Sequence, residues 1–303
     1  MAEAPDTSGF RCGFVALIGR PNVGKSTLMN TLLGQKISIT SRKPQTTRHR
    51  ILGIKTTDSA QFVYVDTPGL HHHARRALNR ALNRAASEVL HDVDVVVFLV
   101  EAGQWTEEDD LVLQKLAGVE APVILAVNKV DRFRKKDSLL EYLAEAGARR
   151  EFAAVVPLSA LSGDNVAALE AEIEQRLPES PPFFPEDQIT DRSERFLAAE
   201  LIREKLFRHL GQELPYGLTV EIEQFQEDDG LLRINGLIWV ERKSHKAIVI
   251  GRQGRMLKRV GREAREDMER LFGQKVFLEL WVKVKEGWAD DERALRSLGI
   301  DEG

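Results

Sequence analysis

The sequence predicts two units: an α/β domain built on a mostly parallel sheet with helices on both faces, followed by a smaller α+β domain. Three observations carry this. Short apolar runs alternate with segments of helical spacing through the first half. Four of the eleven prolines then fall within residues 178–185, and after them the element order becomes α-β-β-α-α-β. The 303 residues suffice for two domains at ~100–200 residues each.

In the first half the apolar runs are Phe14–Ile18, Phe62–Val65, Val93–Val100, Val123–Val127 and Phe152–Leu158. Near-continuous apolar strands are the mark of a parallel sheet covered on both faces. Helical spacing fills the gaps at Leu78–Leu90, Asp109–Leu116, Leu139–Ala146 and Val166–Leu177. Ile51–Thr57 stands just before Phe62–Val65 across a short turn, which predicts a hairpin and a mixed sheet. Pro178, Pro181, Pro182 and Pro185 stop any helix and stiffen the connection. The expected division is therefore 1–178, a linker at 179–190, and 191–303. Asp191 opens the next helix, with Glu194 placed as in a capping box. Strand-like runs Leu218–Phe225 and Leu231–Val240 flank the turn Glu227-Asp228-Asp229-Gly230. A short helix near Lys246, a helix over Arg255–Phe272 and a strand at Val276–Val284 complete the order.

Composition excludes several classes. With 43% hydrophobic and 30% charged residues the chain reads as soluble and globular. A single cysteine, Cys12, rules out an intrachain disulfide and favours a reducing, cytoplasmic setting. The opening MAEAPDTSGF has neither a basic segment nor an apolar run and is not expected to be a signal peptide. The run Val95–Val100 is far shorter than the ~20 residues of a membrane span. Net charge is −4, yet Arg242, Lys243, Lys246, Arg252, Arg255, Lys258, Arg259 and Arg262 fall within 21 positions that hold no Asp or Glu. Even spacing would put about three there. That local excess is what a polyanion would meet.

Gly19-Arg20-Pro21-Asn22-Val23-Gly24-Lys25-Ser26-Thr27 fits G-x-x-x-x-G-K-S/T between a strand and an apolar helix. Its glycines let backbone N–H groups turn around phosphates, and the helix N-terminus adds partial positive charge. Lys25 is placed for the β- and γ-phosphates and the Ser26 hydroxyl for Mg²⁺. Asn128-Lys129-Val130-Asp131 stands at the end of the Val123–Val127 run. A carboxylate such as Asp131 accepts from guanine N1–H and the exocyclic amine, a donor pair that adenine lacks. Lys129 offers its stem to the base, and Ser159-Ala160 offers a backbone N–H to guanine O6. Asp66-Thr67-Pro68-Gly69 ends another strand: Asp66 suits Mg²⁺ held through water, and the Gly69 N–H suits a γ-phosphate. The polar stretch Ser38–Arg50, with few apolar anchors, is expected to order only around a triphosphate. Either Thr46 or Thr47 in it supplies a further Mg²⁺ ligand. The residue after Gly69 is Leu70, which cannot orient water, so slow intrinsic hydrolysis is expected.

Three adjacent histidines, His71-His72-His73, cannot all face one metal from a strand or helix and read as solvated loop. His91, His209 and Cys12 read as structural. In the second half Gly251-Arg252-Gln253-Gly254 is a G-x-x-G between two helical segments within the basic stretch. Such a loop clamps about four nucleotides in KH domains. Lys246, Ile248, Ile250, Gly251, Arg252, Gln253, Gly254 and Lys258 are the candidate RNA contacts, in a type II KH order.

These elements resemble the translation-factor-like GTPases. The phosphate loop, Gln45-Thr46-Thr47-Arg48-His49-Arg50 and Asp66-Thr67-Pro68-Gly69-Leu70 resemble the Era family specifically. So do Phe184-Pro185-Glu186-Asp187, Ile189-Thr190-Asp191, Glu213-Leu214-Pro215-Tyr216 and the run Val276–Val284. Gln253, where members more often carry Gly, and Ala289, where they commonly carry a basic residue, depart from the pattern. The resemblance implies Gln45–His49 and Asp66–Leu70 as the two switch segments, Thr47 as the Mg²⁺ ligand, and Asn22 as a K⁺ holder. It further implies GTP and GDP as ligands and binding near the 3′ end of 16S rRNA in small-subunit assembly. Peripheral association with the inner membrane is implied as well, and the chain is read as a monomer. The functional reading is a GTP-controlled RNA-binding switch, signalling through the linker. Its rivals are an RNA-binding assembly factor with negligible hydrolysis and a P-loop kinase, against which Asp131 argues.

Overall fold

The computed structural model describes residues 9–41, 43, 46–69, 89–133, 136–211 and 217–287. Gln45, Leu70, His71-His72-His73, most of the helix expected at Leu78–Leu90, Glu213–Tyr216 and Ala289 lie outside these residues.

The first unit runs β1 (Arg11–Ile18), α1 (Lys25–Leu33), β2 (Ile51–Thr56), β3 (Ala60–Asp66), β4 (Val95–Glu101), α2 (Glu107–Lys115), β5 (Val123–Asn128), α3 (Lys136–Gly147), β6 (Ala154–Pro157) and α4 (Val166–Glu174). Its sheet has the order β2-β3-β1-β4-β5-β6. Only β2 is antiparallel, paired with β3 as the expected hairpin; the other pairs are parallel. Alternate side chains feed two cores: Val15, Leu17, Val95 and Val97 on one face, Ala16, Ile18, Val96 and Phe98 on the other. This is why the strands read as unbroken apolar runs. β1 lies between β3 and β4, so its carboxyl end opens where parallel sheets bind ligands.

The second unit runs α5 (Glu194–His209), β7 (Leu218–Asp228), β8 (Leu231–Val240), α6 (Lys243–Ile250), α7 (Arg255–Phe272) and β9 (Lys275–Val284), the expected α-β-β-α-α-β. β8 pairs antiparallel with β7 and parallel with β9. Asp229 and Gly230 both take positive φ, 49° and 76°, the geometry of a two-residue hairpin turn. The helices lay Leu201, Ile202, Val260, Ala264 and Met268 on Ile222, Ile234 and Val282.

One boundary expectation is corrected. The N-cap of α5 is Ser193, whose hydroxyl accepts from the Phe196 N–H. Asp191 instead takes the Leu52 N–H at 3.1 Å, tying the linker to β2. The linker is stapled along the first unit: the Gln61 side chain accepts from the N–H groups of Phe183 and Phe184 and donates to the Phe184 carbonyl.

The units also meet directly. Glu200, Arg203, Glu204 and Lys205 of α5 are charged yet buried. Arg203 pairs with Glu200 and donates to the Thr46 carbonyl. Glu204 accepts from the Thr40 N–H at 3.0 Å and binds Lys36, which also reaches Asp267 of α7. Buried charges persist only when paired in this way.

Candidate nucleotide and RNA sites

Four strand ends converge on one crevice, following β1, β3, β5 and β6. A cavity of about 740 Å³ opens there, lined by Pro21, Asn22, Gly24, Lys25, Ser26 and Thr27 of the phosphate loop together with Thr46, Thr47, Gly69, Asn128, Lys129, Asp131 and Ala160. Gly24 is required in the loop: a Cβ there would lie 2.3 Å from Asn128 Nδ2, and its φ of 111° disfavours side chains. A Cβ on Gly69 would lie 2.9 Å from Pro21, so these two backbones touch. Gly19, Arg20 and Val23 serve the loop's shape. Arg20 turns away to Asp109 at 3.1 Å and Glu101 at 3.5 Å, while the Val23 side chain enters the core.

Lys25 is fully buried, and its Nζ donates to the carbonyls of Gly19 at 2.8 Å and Arg20 at 3.0 Å. Burial lowers its pKa to about 8, against the pull of Asp66. An anion in the loop would favour the charged form further. Ser26 Oγ stands 2.9 Å from Thr47 Oγ1 and donates to Asp66 Oδ2 at 2.7 Å. Ser38 Oγ donates to the same oxygen at 2.7 Å. Burial raises the Asp66 pKa, against hydrogen bonds from Ser38 and Ser26, and its Oδ1 has no hydrogen-bond partner among the described residues. Two hydroxyls and an unsatisfied buried carboxylate oxygen fit a hard divalent cation such as Mg²⁺. No cluster of three His, Cys, Asp or Glu exists among the described residues, so the remaining ligands would come from nucleotide and water.

The base end is braced rather than open. Buried Asn128 donates to the Val23 carbonyl at 2.7 Å and accepts from the N–H groups of Lys129 and Ala160 at 2.8 and 2.9 Å. It thus binds three loops together, and the Ala160 N–H expected at guanine O6 is engaged by Asn128. Asp131 is exposed rather than buried, with Ser159 Oγ donating to its Oδ1 at 2.6 Å, which fixes the carboxylate plane. Lys129 donates to the Asn22 carbonyl at 2.8 Å and pairs with Glu101 at 2.6 Å. Thr67 Oγ1 bonds the Leu17 carbonyl, beside buried Pro68.

Within the segment Ser38–Arg50, Thr46, Thr47 and Arg48 are buried, and Thr46 and Arg48 meet Arg203 and Phe207 of α5. Arg48 donates to the Leu218 carbonyl at 2.8 Å, and His49 meets the Phe196 ring edge-on. The second unit thus contributes contacts to this segment from Phe196, Arg203, Phe207 and Leu218. Sequence reasoning also missed Ser38, Glu101 and Asp109. None sits in a contiguous motif, although Glu101 is legible as a polar residue closing an apolar strand.

In the second unit α6 ends at Gly251 (φ 72°), and Gln253 and Gly254 follow with φ of 53° and 71° before α7. Arg252, Gln253 and Lys258 are exposed, Lys246 is half-buried, and Ile248 is 51% exposed. Ile250 packs on the core instead of facing solvent. A groove between α7 and β9 continues from the loop. It is lined by Gly254, Leu257, Lys258, Gly261, Arg262, Arg265, Leu278 and Leu280, of which sequence analysis named only Gly254 and Lys258 as RNA contacts. An apolar floor with a basic rim suits bases and phosphates respectively. His209 and Cys12, read as structural, make packing contacts of that kind: His209 meets Glu263 at 2.6 Å, and buried Cys12 contacts Gln61.

The family of 50S ribosome-binding GTPases matches residues 14–129, and the KH domain matches 213–289. GTPase Era of Ectopseudomonas mendocina is 60% identical over 299 residues, 99% of each chain. The chain belongs to the Era family of GTPases. GTPase Era of Marinobacter nauticus is 58% identical over 98% of each chain. Among solved structures, Aquifex aeolicus Era bound to GDP and AlF₄⁻ matches with a TM-score of 0.93 at 38% identity, over 96% of this chain and 99% of that one. Era in complex with MgGDPNP and nucleotides 1506–1542 of 16S ribosomal RNA matches with a TM-score of 0.92, at the same identity and coverage. Scores this high over both halves mean that the two units are arranged here as in those Era complexes. The chain is an Era-family GTPase with an RNA-binding KH domain, and the kinase alternative falls. No helix among the described residues is long and apolar enough to cross a membrane.

Proposed function

We propose that this Era-family GTPase is a Mg²⁺-dependent switch that binds the 3′ region of 16S rRNA during assembly of the small ribosomal subunit. The likeness to the Era complex that holds both MgGDPNP and 16S nucleotides 1506–1542 carries the reading. In it, residues 1–178 form the nucleotide unit, 179–190 the linker and 191–303 the RNA unit. Backbone amides from Gly19 to Thr27 surround the phosphates, and Lys25 counters their charge. Ser26, Thr47 and, through water, Asp66 would hold Mg²⁺, which would supply positive charge against the phosphates. Asp131 reads guanine, Asn128 and Ser159 hold it in place, and the stem of Lys129 lies on the base. Arg252 and Lys258 meet RNA phosphates around the G-x-x-G turn. Because Thr46–His49 lie directly on α5, the nucleotide signal passes through this contact rather than only along the linker.

Asn22, with its side chain exposed at the loop, is proposed to hold K⁺ as a charge substitute near the transferring phosphate. Hydrolysis is expected to run faster in K⁺ than in Na⁺ buffer, and equal rates remove this role. The monomeric state and the peripheral membrane association belong to the same proposal. Crosslinking of RNA in cells, mapped to single nucleotides, tests the target: reads at the 3′ end of 16S rRNA are expected, and reads confined to large-subunit RNA contradict it.

A further inference from the structure

The far wall of the nucleotide cavity comes from the RNA-binding half: Phe207 and Arg208, in the last turn of α5, line the same space as Lys25, Thr40 and Asp131. We propose that Arg208 is a nucleotide-binding residue, supplied in cis by the KH unit to a phosphate of the bound guanosine nucleotide. The inference rests on the reading of this cavity as the guanine nucleotide site.

Arg208 is held but not consumed. Its neighbours Glu204, Lys205 and Phe207 are buried, whereas its own side chain keeps 44% of its exposure. Nη2 donates to Glu204 Oε1 at 2.8 Å, and the bonds from Nε and Nη2 to the Thr40 carbonyl and hydroxyl are long, at 3.3–3.4 Å. Every hydrogen bond of the guanidinium among the described residues leaves from Nε or Nη2, which leaves Nη1 uncommitted on a side chain that lines the cavity. Glu204 Oε1 also accepts the Thr40 N–H. One buried carboxylate therefore orients both the guanidinium and the start of the segment that carries Thr46 and Thr47.

The charge pattern favours an anion. Lys25 is the deep cation of the cavity. Lys129 and Arg132 at its base end are paired with Glu101, and Lys43 is turned onto the carbonyls of Phe207 and Leu210. A planar guanidinium with two edges engages a carboxylate by one and a phosphate by the other, which a lysine does not. The carbonyl end of α5 would repel phosphate, and Arg208 and Lys43 offset it there.

The test uses the full chain and measures equilibrium binding of GTP, GDP and ATP together with the melting temperature of the nucleotide-free protein. R208A is expected to weaken GTP and GDP about tenfold, as for one charge-assisted hydrogen bond. R208K is expected to recover part of that, with guanine preference and melting temperature unchanged. If R208A lowers the melting temperature but leaves nucleotide affinity intact, Arg208 is only an interface residue and the proposal fails. It fails equally if affinity drops but R208K restores it fully, because a point charge then suffices. Wild-type protein that ignores GTP, or prefers ATP, would instead overturn the underlying assignment of the site.

Discussion

Asp131→Asn is expected to lower GTP affinity by roughly 100-fold, since two hydrogen bonds to a charged acceptor are worth about 3 kcal/mol. The same variant is expected to bind xanthosine triphosphate better than the wild type does. The carboxylate accepts at both oxygens, whereas an amide accepts at one and donates at the other, which matches the carbonyl of xanthine at the position of the guanine amine. Ser159 can still donate to the retained oxygen, so the side chain keeps the orientation set by the 2.6 Å bond. Because Asp131 is exposed, no packing is lost and the melting temperature is expected to stay level. Competition binding among GTP, xanthosine triphosphate and ATP reads the result. A variant that keeps full guanine preference would remove Asp131 as the selector.

Gly254→Asp is expected to abolish measurable RNA binding while leaving GTP hydrolysis without RNA close to wild type. A Cβ at Gly254 meets nothing within 4 Å, and Asp is among the residues that tolerate its φ of 71°. The fold therefore survives at a cost of about 1–2 kcal/mol. The inserted carboxylate would stand where a phosphate is to approach, and like charges in such contact cost several kcal/mol, more than 100-fold in affinity. Gly254→Ala separates bulk from charge and is expected to lose much less. The neighbouring glycine is unsuitable for this test, because a Cβ on Gly251 would lie 2.7 Å from the Met256 Cβ and distort the turn itself. RNA titration of both variants, with circular dichroism as the folding control, decides the matter.

The elements most legible in the sequence were those fixed by local rules. Continuous apolar runs specified the parallel strands, and β8 was read to the residue at Leu231–Val240. The phosphate loop and the Asn128–Asp131 segment were legible because their chemistry requires contiguous residue types at a strand end. What stayed hidden depends on pairing across the chain. Ser38 and Asp66 are 28 residues apart, and Glu204 and Thr40 are 164 apart. Neither contact leaves a periodic trace. The segment Ser38–Arg50 looked unanchored because its partners, Glu200, Arg203 and Phe207, lie on a helix of the other unit. The amphipathic pattern of α5 gave no sign that its polar residues were buried as well. The cavity's second wall was invisible for the same reason. In the RNA unit the turn glycines were found, while the groove floor at Leu278 and Leu280 read simply as the inner face of a strand.

The proposed switch requires the nucleotide and RNA sites to be coupled, and reciprocal titration measures that coupling. The affinity for a non-hydrolysable GTP analogue is measured with and without a saturating oligonucleotide carrying the 3′ end of 16S rRNA, and the affinity for that oligonucleotide with and without the same analogue at saturation. Linkage requires the two ratios to be equal, and coupling of about 5–150-fold is typical of such switches. Equal ratios clearly different from one are expected. Two intact affinities, each indifferent to the other ligand, would contradict it.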